Sequence, residues 1–130
     1  MAIPFFAPEL IIPSGTMELD FYPKVLGARE LRRFGNDDGS IHVSEMSIDG
    51  ALFHFHEESV DGTAFPPSRH GGVTTTLGLF VEDVDAVMAA AEAAGATIIH
   101  PAEDFDYRYR QGIFIDPLGH RWLIEKVITH

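Results

Sequence analysis

Two histidines on one predicted strand are the side chains of this sequence best suited to chemistry. His54 and His56 alternate with Phe53 and Phe55. Successive side chains of a strand point to opposite faces, so the imidazoles share one face and the phenyl rings pack under a helix on the other. Imidazole titrates near neutral pH and binds several divalent ions. The pair indicates a general base or a metal site, or simply polar residues that line a wet cleft.

Two glutamates are predicted to face the same way as these histidines. The apolar residues expected to pack under a helix are Leu10, Ile12, Met46 and Ile48. Their alternation leaves Glu9 on the first strand and Glu45 on the third strand pointing toward the histidine face. We therefore take His54, His56 and Glu45 as candidate catalytic residues and Glu9 as a candidate ligand contact.

Composition and charge limit the class of partner. The 130 residues suit one compact domain, and the absence of cysteine excludes disulfides, thiolate metal sites and thiol nucleophiles. The net charge of −11 disfavours nucleic acid and suits either solubility or a cationic ligand. No apolar run has membrane-spanning length, and the first residues lack a secretory signal, so we expect a cytoplasmic protein with no membrane partner.

The elements that position these residues form one unit written twice. Residues 5–58 and residues 74–128 each predict a strand, a helix and three strands, joined by a Gly- and Pro-rich crossover over 59–73. The first strand is predicted from Phe5 to Ile12. The first helix is predicted to start after Ser14 or Thr16, to kink at Pro23 and to end at Gly27. The second helix is predicted between Asp83 and Gly95.

The chain resembles the vicinal oxygen chelate superfamily, which includes glyoxalase I, bleomycin-resistance proteins, fosfomycin-resistance enzymes and extradiol dioxygenases. The segments that carry the resemblance are Met17 to Tyr22, Val25 to Ala28, Phe80 to Asp85, Ala94 to Ala96 and Ile115 to Trp122. The ending Asp-Pro-x-Gly-His-x-Trp is most similar to a divergent branch. The resemblance implies an α+β fold, a single domain (residues 1–130) whose two tandem βαβββ modules form curved mixed sheets around a cleft, in a homodimer.

The resemblance also locates the family's metal ligands. Matching the motifs places them at Ala7, His54, Thr76 and Leu123. Alanine and leucine have no donor atom and a threonine hydroxyl is a poor ligand, so the usual site is expected to be missing and no cofactor is expected. A divalent metal displaced to His54, His56 and Glu45 is the alternative.

Further ligand contacts follow from the resemblance. Thr76 takes a place on the cavity wall, and Tyr107 and Arg110 match an aromatic residue and an arginine near the cavity mouth of relatives. Arg110 would bind a ligand carboxylate or phosphate, or instead pair with neighbouring acids in a surface hairpin.

Two functions from different classes, and a third, remain open at this point. The first is a small-molecule-binding protein of the bleomycin-resistance kind, holding a cationic antibiotic or xenobiotic in a partly aromatic, acidic cavity. The second is a lyase, isomerase or dioxygenase that uses a displaced metal or a general base. The third, a protein-interaction module, is disfavoured because cavity-facing polar side chains would then be a needless cost.

Overall fold

The computed structural model describes residues 3–129, and Met1, Ala2 and His130 lie outside the described residues. The chain divides into two compact units between Arg69 and His70, inside the predicted crossover. Each unit contains a four-stranded mixed sheet and one α-helix in the order strand, helix and three strands. The predicted α+β class and tandem βαβββ organisation are therefore confirmed.

The first unit follows the predicted order with shorter early elements. Its elements are β1 (Glu9–Ile12), α1 (Phe21–Leu26), β2 (Arg29–Gly35), β3 (Ile41–Ile48) and β4 (Ala51–Glu57). The sheet order is β1-β4-β3-β2, with β1 parallel to β4 and the other pairs antiparallel. A short 3-10 turn, Pro67–Arg69, follows the sheet.

The helix α1 starts later than the sequence predicted, and Pro23 explains why. Pro23 is its third residue, where a backbone N–H would have no acceptor within the helix, so the ring is accommodated in the first turn. The Lys24 N–H then donates to the Asp20 carbonyl at 3.2 Å. The expected start near Thr16 and the expected kink at Pro23 are both wrong, whereas the end at Gly27, with φ of 66°, is confirmed.

The core of the first unit is an aromatic contact between α1 and the sheet. Tyr22 packs on Phe55 and Phe53, with ring centroids 4.5 and 6.5 Å apart. Leu10 and Ile12 are buried on the same sheet face, as their alternation predicted. Burying such a side chain contributes about 1.5–3 kcal/mol, so this face holds the helix and leaves the opposite face to the polar residues.

The second unit repeats the arrangement with longer elements. They are β5 (Thr76–Phe80), α2 (Val84–Ala93), β6 (Thr97–Phe105), β7 (Tyr109–Ile115) and β8 (Arg121–Val127), in the sheet order β5-β8-β7-β6. Strand β5 is parallel to β8, and the other pairs are antiparallel. Within residues 3–129, neither α-helix has the length and apolar composition that a membrane crossing requires.

Helix α2 lies against one face of this second sheet, and Gly112 in β7 allows it to approach closely. A Cβ at Gly112 would lie 2.9 Å from the Met88 side chain, so glycine lets the helix approach β7 closely. Phe114 and Trp122 are buried on the same face. The other face of the sheet is left to residues of alternate parity.

The Asp-Pro-Leu-Gly-His-Arg-Trp segment forms the turn between β7 and β8. The buried Asp116 carboxylate accepts the backbone N–H groups of Leu118 and His120 at 2.9 and 3.0 Å, and the Trp122 indole N–H at 2.9 Å. The motif therefore builds a turn and fixes the indole in the core.

Candidate functional site

A row of charged and polar side chains crosses the first sheet on the face opposite α1. The strand registers pair Glu9 with His54, His54 with Glu45, and Glu45 with Arg32. His54 Nδ1 lies 3.3 Å from a Glu9 carboxylate oxygen, and Arg32 Nε lies 3.1 Å from Glu45. The His54 side chain is 31% exposed. Among residues 3–129, Glu9 forms no other ion pair, so the row places an accessible imidazole beside a carboxylate that His54 alone engages.

His56 belongs to the next row and has different partners. Its Nδ1 donates to the Glu57 carbonyl at 2.6 Å, and its ring centroid lies 4.9 Å from that of His42. His42 Nδ1 in turn lies 2.8 Å from the Glu57 carboxylate. The structure thus places His54 and His56 on one face but engages them with separate groups.

The described side chains bring no metal-binding group together. Across residues 3–129, no three histidine, aspartate or glutamate side chains come together in a group that could hold one. Glu45 is engaged by Arg32, and His56 by a backbone carbonyl. Ala7 and Leu123 contribute no donor atom, and Thr76 begins β5 in the other unit. A displaced metal at His54, His56 and Glu45 stays a prediction.

Arg110 is held by two carboxylates of its own chain. Its Nε and Nη2 bind both oxygens of Asp85 at 2.9 and 2.7 Å, and its Nη1 binds Asp104 at 2.9 Å. These hydrogen bonds raise the pKa of Arg110 and lower the pKa of Asp85. The geometry favours the second alternative for Arg110, an internal pairing, and its role in ligand binding stays a prediction.

The second sheet carries its own row on the face opposite α2. The registers align Phe80, Glu125, Gln111 and Glu103 across all four strands. The Gln111 amide N–H donates to Glu125 Oε1 at 2.8 Å. Glu125 is only 7% exposed, which is unusual for a carboxylate.

Tyr107 completes a short hydrogen-bond chain above this row. Its hydroxyl donates to the Gln111 side-chain oxygen, and the Gln111 amide nitrogen donates to Glu125. The chain fixes the orientation of the Gln111 amide and the tilt of the Tyr107 ring. The structure connects Tyr107 to the buried Glu125 through Gln111, and its predicted role as a ligand contact stays a prediction.

A row of aromatic rings lies on the same face as the buried carboxylate. The Phe80 and Tyr109 centroids are 5.9 Å apart, the Tyr109 and Tyr107 centroids are 5.8 Å apart, and Tyr107 stacks on Phe105 at 5.3 Å. Phe80 and Tyr107 are 58% and 54% exposed. The face therefore presents aromatic surface to solvent beside a covered negative charge.

Sequence reasoning missed Glu125, Gln111 and Phe80, although one signal was available. Glu125 is the single acidic residue in the strand 121–127, and it lies two residues after Leu123, on the same face by parity. An acid that shares a strand face with Leu123 carries a desolvation cost when it is covered, and that cost needs a partner or a function.

Comparisons with known proteins agree with this architecture. A family model described as the Glyoxalase/Bleomycin resistance protein/Dioxygenase superfamily matches residues 10–124. An uncharacterized protein of Mycobacterium bovis is 33% identical over 122 residues, which cover 92% of this chain and 80% of that protein.

Solved structures share the fold at low sequence identity. TioX from Micromonospora has a TM-score of 0.70 and 21% identity, covering 95% of this chain and all of that chain. The fosfomycin resistance protein FosX from Mesorhizobium loti has a TM-score of 0.66 and 12% identity, covering 97% and 93%. A Pseudomonas aeruginosa protein has a TM-score of 0.72 and 17% identity, covering 95% and 98%.

Proposed function

This chain belongs to the glyoxalase/bleomycin resistance protein/dioxygenase superfamily, and from that premise we propose that it binds a small cationic organic molecule without a resident metal ion. The ligand class is that of the bleomycin-resistance kind, a cationic antibiotic or xenobiotic. The cytoplasmic location and the homodimeric assembly expected from the sequence belong to the same proposal.

The observation that carries this proposal is the set of side chains at the family's ligand positions. The resemblance assigns the donor positions of the superfamily's metal enzymes to Ala7, His54, Thr76 and Leu123, and of these four side chains His54 is the single strong donor. One imidazole does not make a tetrahedral or octahedral site. Binding that depends on shape, aromatic surface and charge needs none of these ligands.

The charge balance supports a cationic ligand. The chain carries 20 acidic and 9 Lys or Arg side chains, for a net charge of −11 with neutral histidines. Such an excess raises the local concentration of cations and disfavours anionic molecules.

A thermal-shift screen tests the proposal. Untagged, chelator-treated protein is mixed with cationic antibiotics, with neutral compounds of similar size and with α-keto compounds. A ligand that binds the native state raises Tm by mass action, so we expect shifts with cations and none with the neutral set. Shifts confined to neutral or anionic compounds would contradict the proposal.

A second function, proton transfer by His54, is favoured by one observation. The imidazole lies 3.3 Å from Glu9, a geometry that suits a general base oriented by a carboxylate. Turnover of an α-keto compound that is lost in His54→Ala and kept in His100→Ala would establish it. His100 is a matched control because it is also partly exposed and also lies near a glutamate, Glu103, at 3.4 Å.

A further inference from the structure

We propose that the open face of the second sheet binds the tertiary or quaternary ammonium group of a small molecule. We call this face the ammonium site and define it by Phe80, Tyr107, Tyr109, Gln111 and Glu125. The inference rests on the proposed function, because it names the part of the chain that recognises the positive charge and the chemical class of that charge.

Glu125 is a covered carboxylate that lacks a cationic partner among the described residues. Glu125 is 7% exposed, and within residues 3–129 no Lys, Arg or His side chain forms an ion pair with it. Its hydrogen-bond partner is the neutral amide of Gln111. Covering a carboxylate without a cation is costly, and a ligand cation would offset that cost.

Aromatic rings lie on the same face of the sheet as Glu125. Phe80 lies beside Glu125 in the register, and the Tyr109 ring lies 5.9 Å from the Phe80 ring. Tyr107 continues the row and is 54% exposed. The faces of such rings attract an organic cation, and attraction is strongest where water is partly excluded.

The hydrogen bonds on this face favour one kind of cation. The Tyr107 hydroxyl donates to Gln111, and the Gln111 amide donates to Glu125, so these groups are engaged with one another. A primary ammonium has three N–H donors to satisfy, whereas Glu125 and Gln111 are already engaged with each other. A tertiary or quaternary ammonium has one such donor or none, and therefore matches the aromatic rings that lie on the same face as Glu125.

Gly78 makes room for this carboxylate. A Cβ at position 78 would lie 3.0 Å from Glu125 Oε2, closer than ordinary side-chain contacts. The φ of Gly78 is not in the left-handed region, so backbone conformation does not require glycine there. The missing side chain is explained by the space that the carboxylate occupies.

Choline and its neutral carbon isostere, 3,3-dimethylbutan-1-ol, test the ammonium site by NMR titration of the full chain. We expect millimolar choline to shift the resonances of Tyr107, Tyr109 and Gln111. We expect the neutral isostere to bind about tenfold more weakly, because it has the shape of choline without the charge. Equal binding of the two compounds would overturn the inference.

Glu125→Gln provides the matched variant. It keeps the size of the side chain and an oxygen that accepts from Gln111, so the fold is retained, and we expect choline affinity to fall about tenfold. Glu92→Gln, on the exposed surface of α2, removes one acidic charge elsewhere and should leave choline affinity unchanged. Choline binding that survives Glu125→Gln, or no choline binding at all, would sink the ammonium site.

The failure of this inference is distinguishable from the failure of the proposed function. If cationic compounds raise Tm while choline leaves the Tyr107 and Tyr109 resonances unmoved, the proposed function stands and the ammonium site is wrong. If no cation raises Tm and choline does not bind, both are wrong.

Discussion

At the residue scale, strand register determines which side chain each carboxylate contacts in both sheets. Glu9 meets His54 in the first unit, and Glu125 meets Gln111 in the second. Strand parity alone predicted that His54, Glu9 and Glu45 share a face. It could not predict that Arg32 would pair with Glu45, because that contact depends on which residues stand opposite each other across β2 and β3.

Gly78→Ala tests whether the position of the Glu125 carboxylate matters. The new Cβ would push the flexible end of Glu125 by a few tenths of an ångström, so we expect choline affinity to fall severalfold while Tm changes little. NMR titration and thermal melting measure the two effects. Gly72→Ala, where nothing lies within 4 Å, is the control. Unchanged choline affinity in Gly78→Ala would show that this carboxylate position is not required.

Arg110→Ala tests the internal ion pair of the second unit. Hydrogen bonds from Arg110 lower the pKa of Asp85, so Asp85 stabilises the fold above its ordinary pKa, and this contribution is lost as pH falls through the lowered value. In Arg110→Ala we expect the pKa of Asp85 to rise toward 3.8. An NMR titration of the Asp85 carboxyl measures it, with Arg29→Ala as control. An Asp85 pKa that stays low would contradict the pairing.

At the element scale, local signals decided which predictions held. Asp83, the apolar positions of α2 and Gly95 lie within one short segment, and the helix formed where they predicted. For the first helix, a possible N-cap at Thr16 and a proline at position 23 predicted different starting points, and the sequence alone did not decide between them. The Thr16 hydroxyl donates to the Pro13 carbonyl in a turn and does not cap a helix. Proline is tolerated only in the first turn of a helix, so α1 begins at Phe21, two residues before Pro23.

Asp83→Ala tests the start of α2. The Asp83 carboxylate accepts the Ala86 N–H at 3.0 Å, so its removal should lower the free energy of unfolding by about 1 kcal/mol. Urea denaturation measures this change. Asp83→Asn keeps a capping oxygen and should lose much less. Equal losses in the two variants would assign the effect to charge instead of capping.

At the scale of the whole molecule, family membership predicts the fold but does not predict the ligand or the reaction. The tandem units could be predicted because helix ends, turn dipeptides and the Asp116 turn recur in a familiar order. The proposed binding face could not be predicted, because it depends on which charged and aromatic side chains strand register brings together, as it does for Phe80, Glu125 and Gln111. Fold therefore limits the class of ligand and leaves its identity to these side chains.

Metal add-back to untagged, chelator-treated protein, followed by thermal melting and metal analysis, tests the central claim most directly. With zinc, manganese, nickel or iron added one at a time, we expect no tightly bound stoichiometric ion and no rise in Tm, because the described residues do not gather three ligands. A stoichiometric ion that raises Tm and is lost in His54→Ala would contradict metal-independent binding.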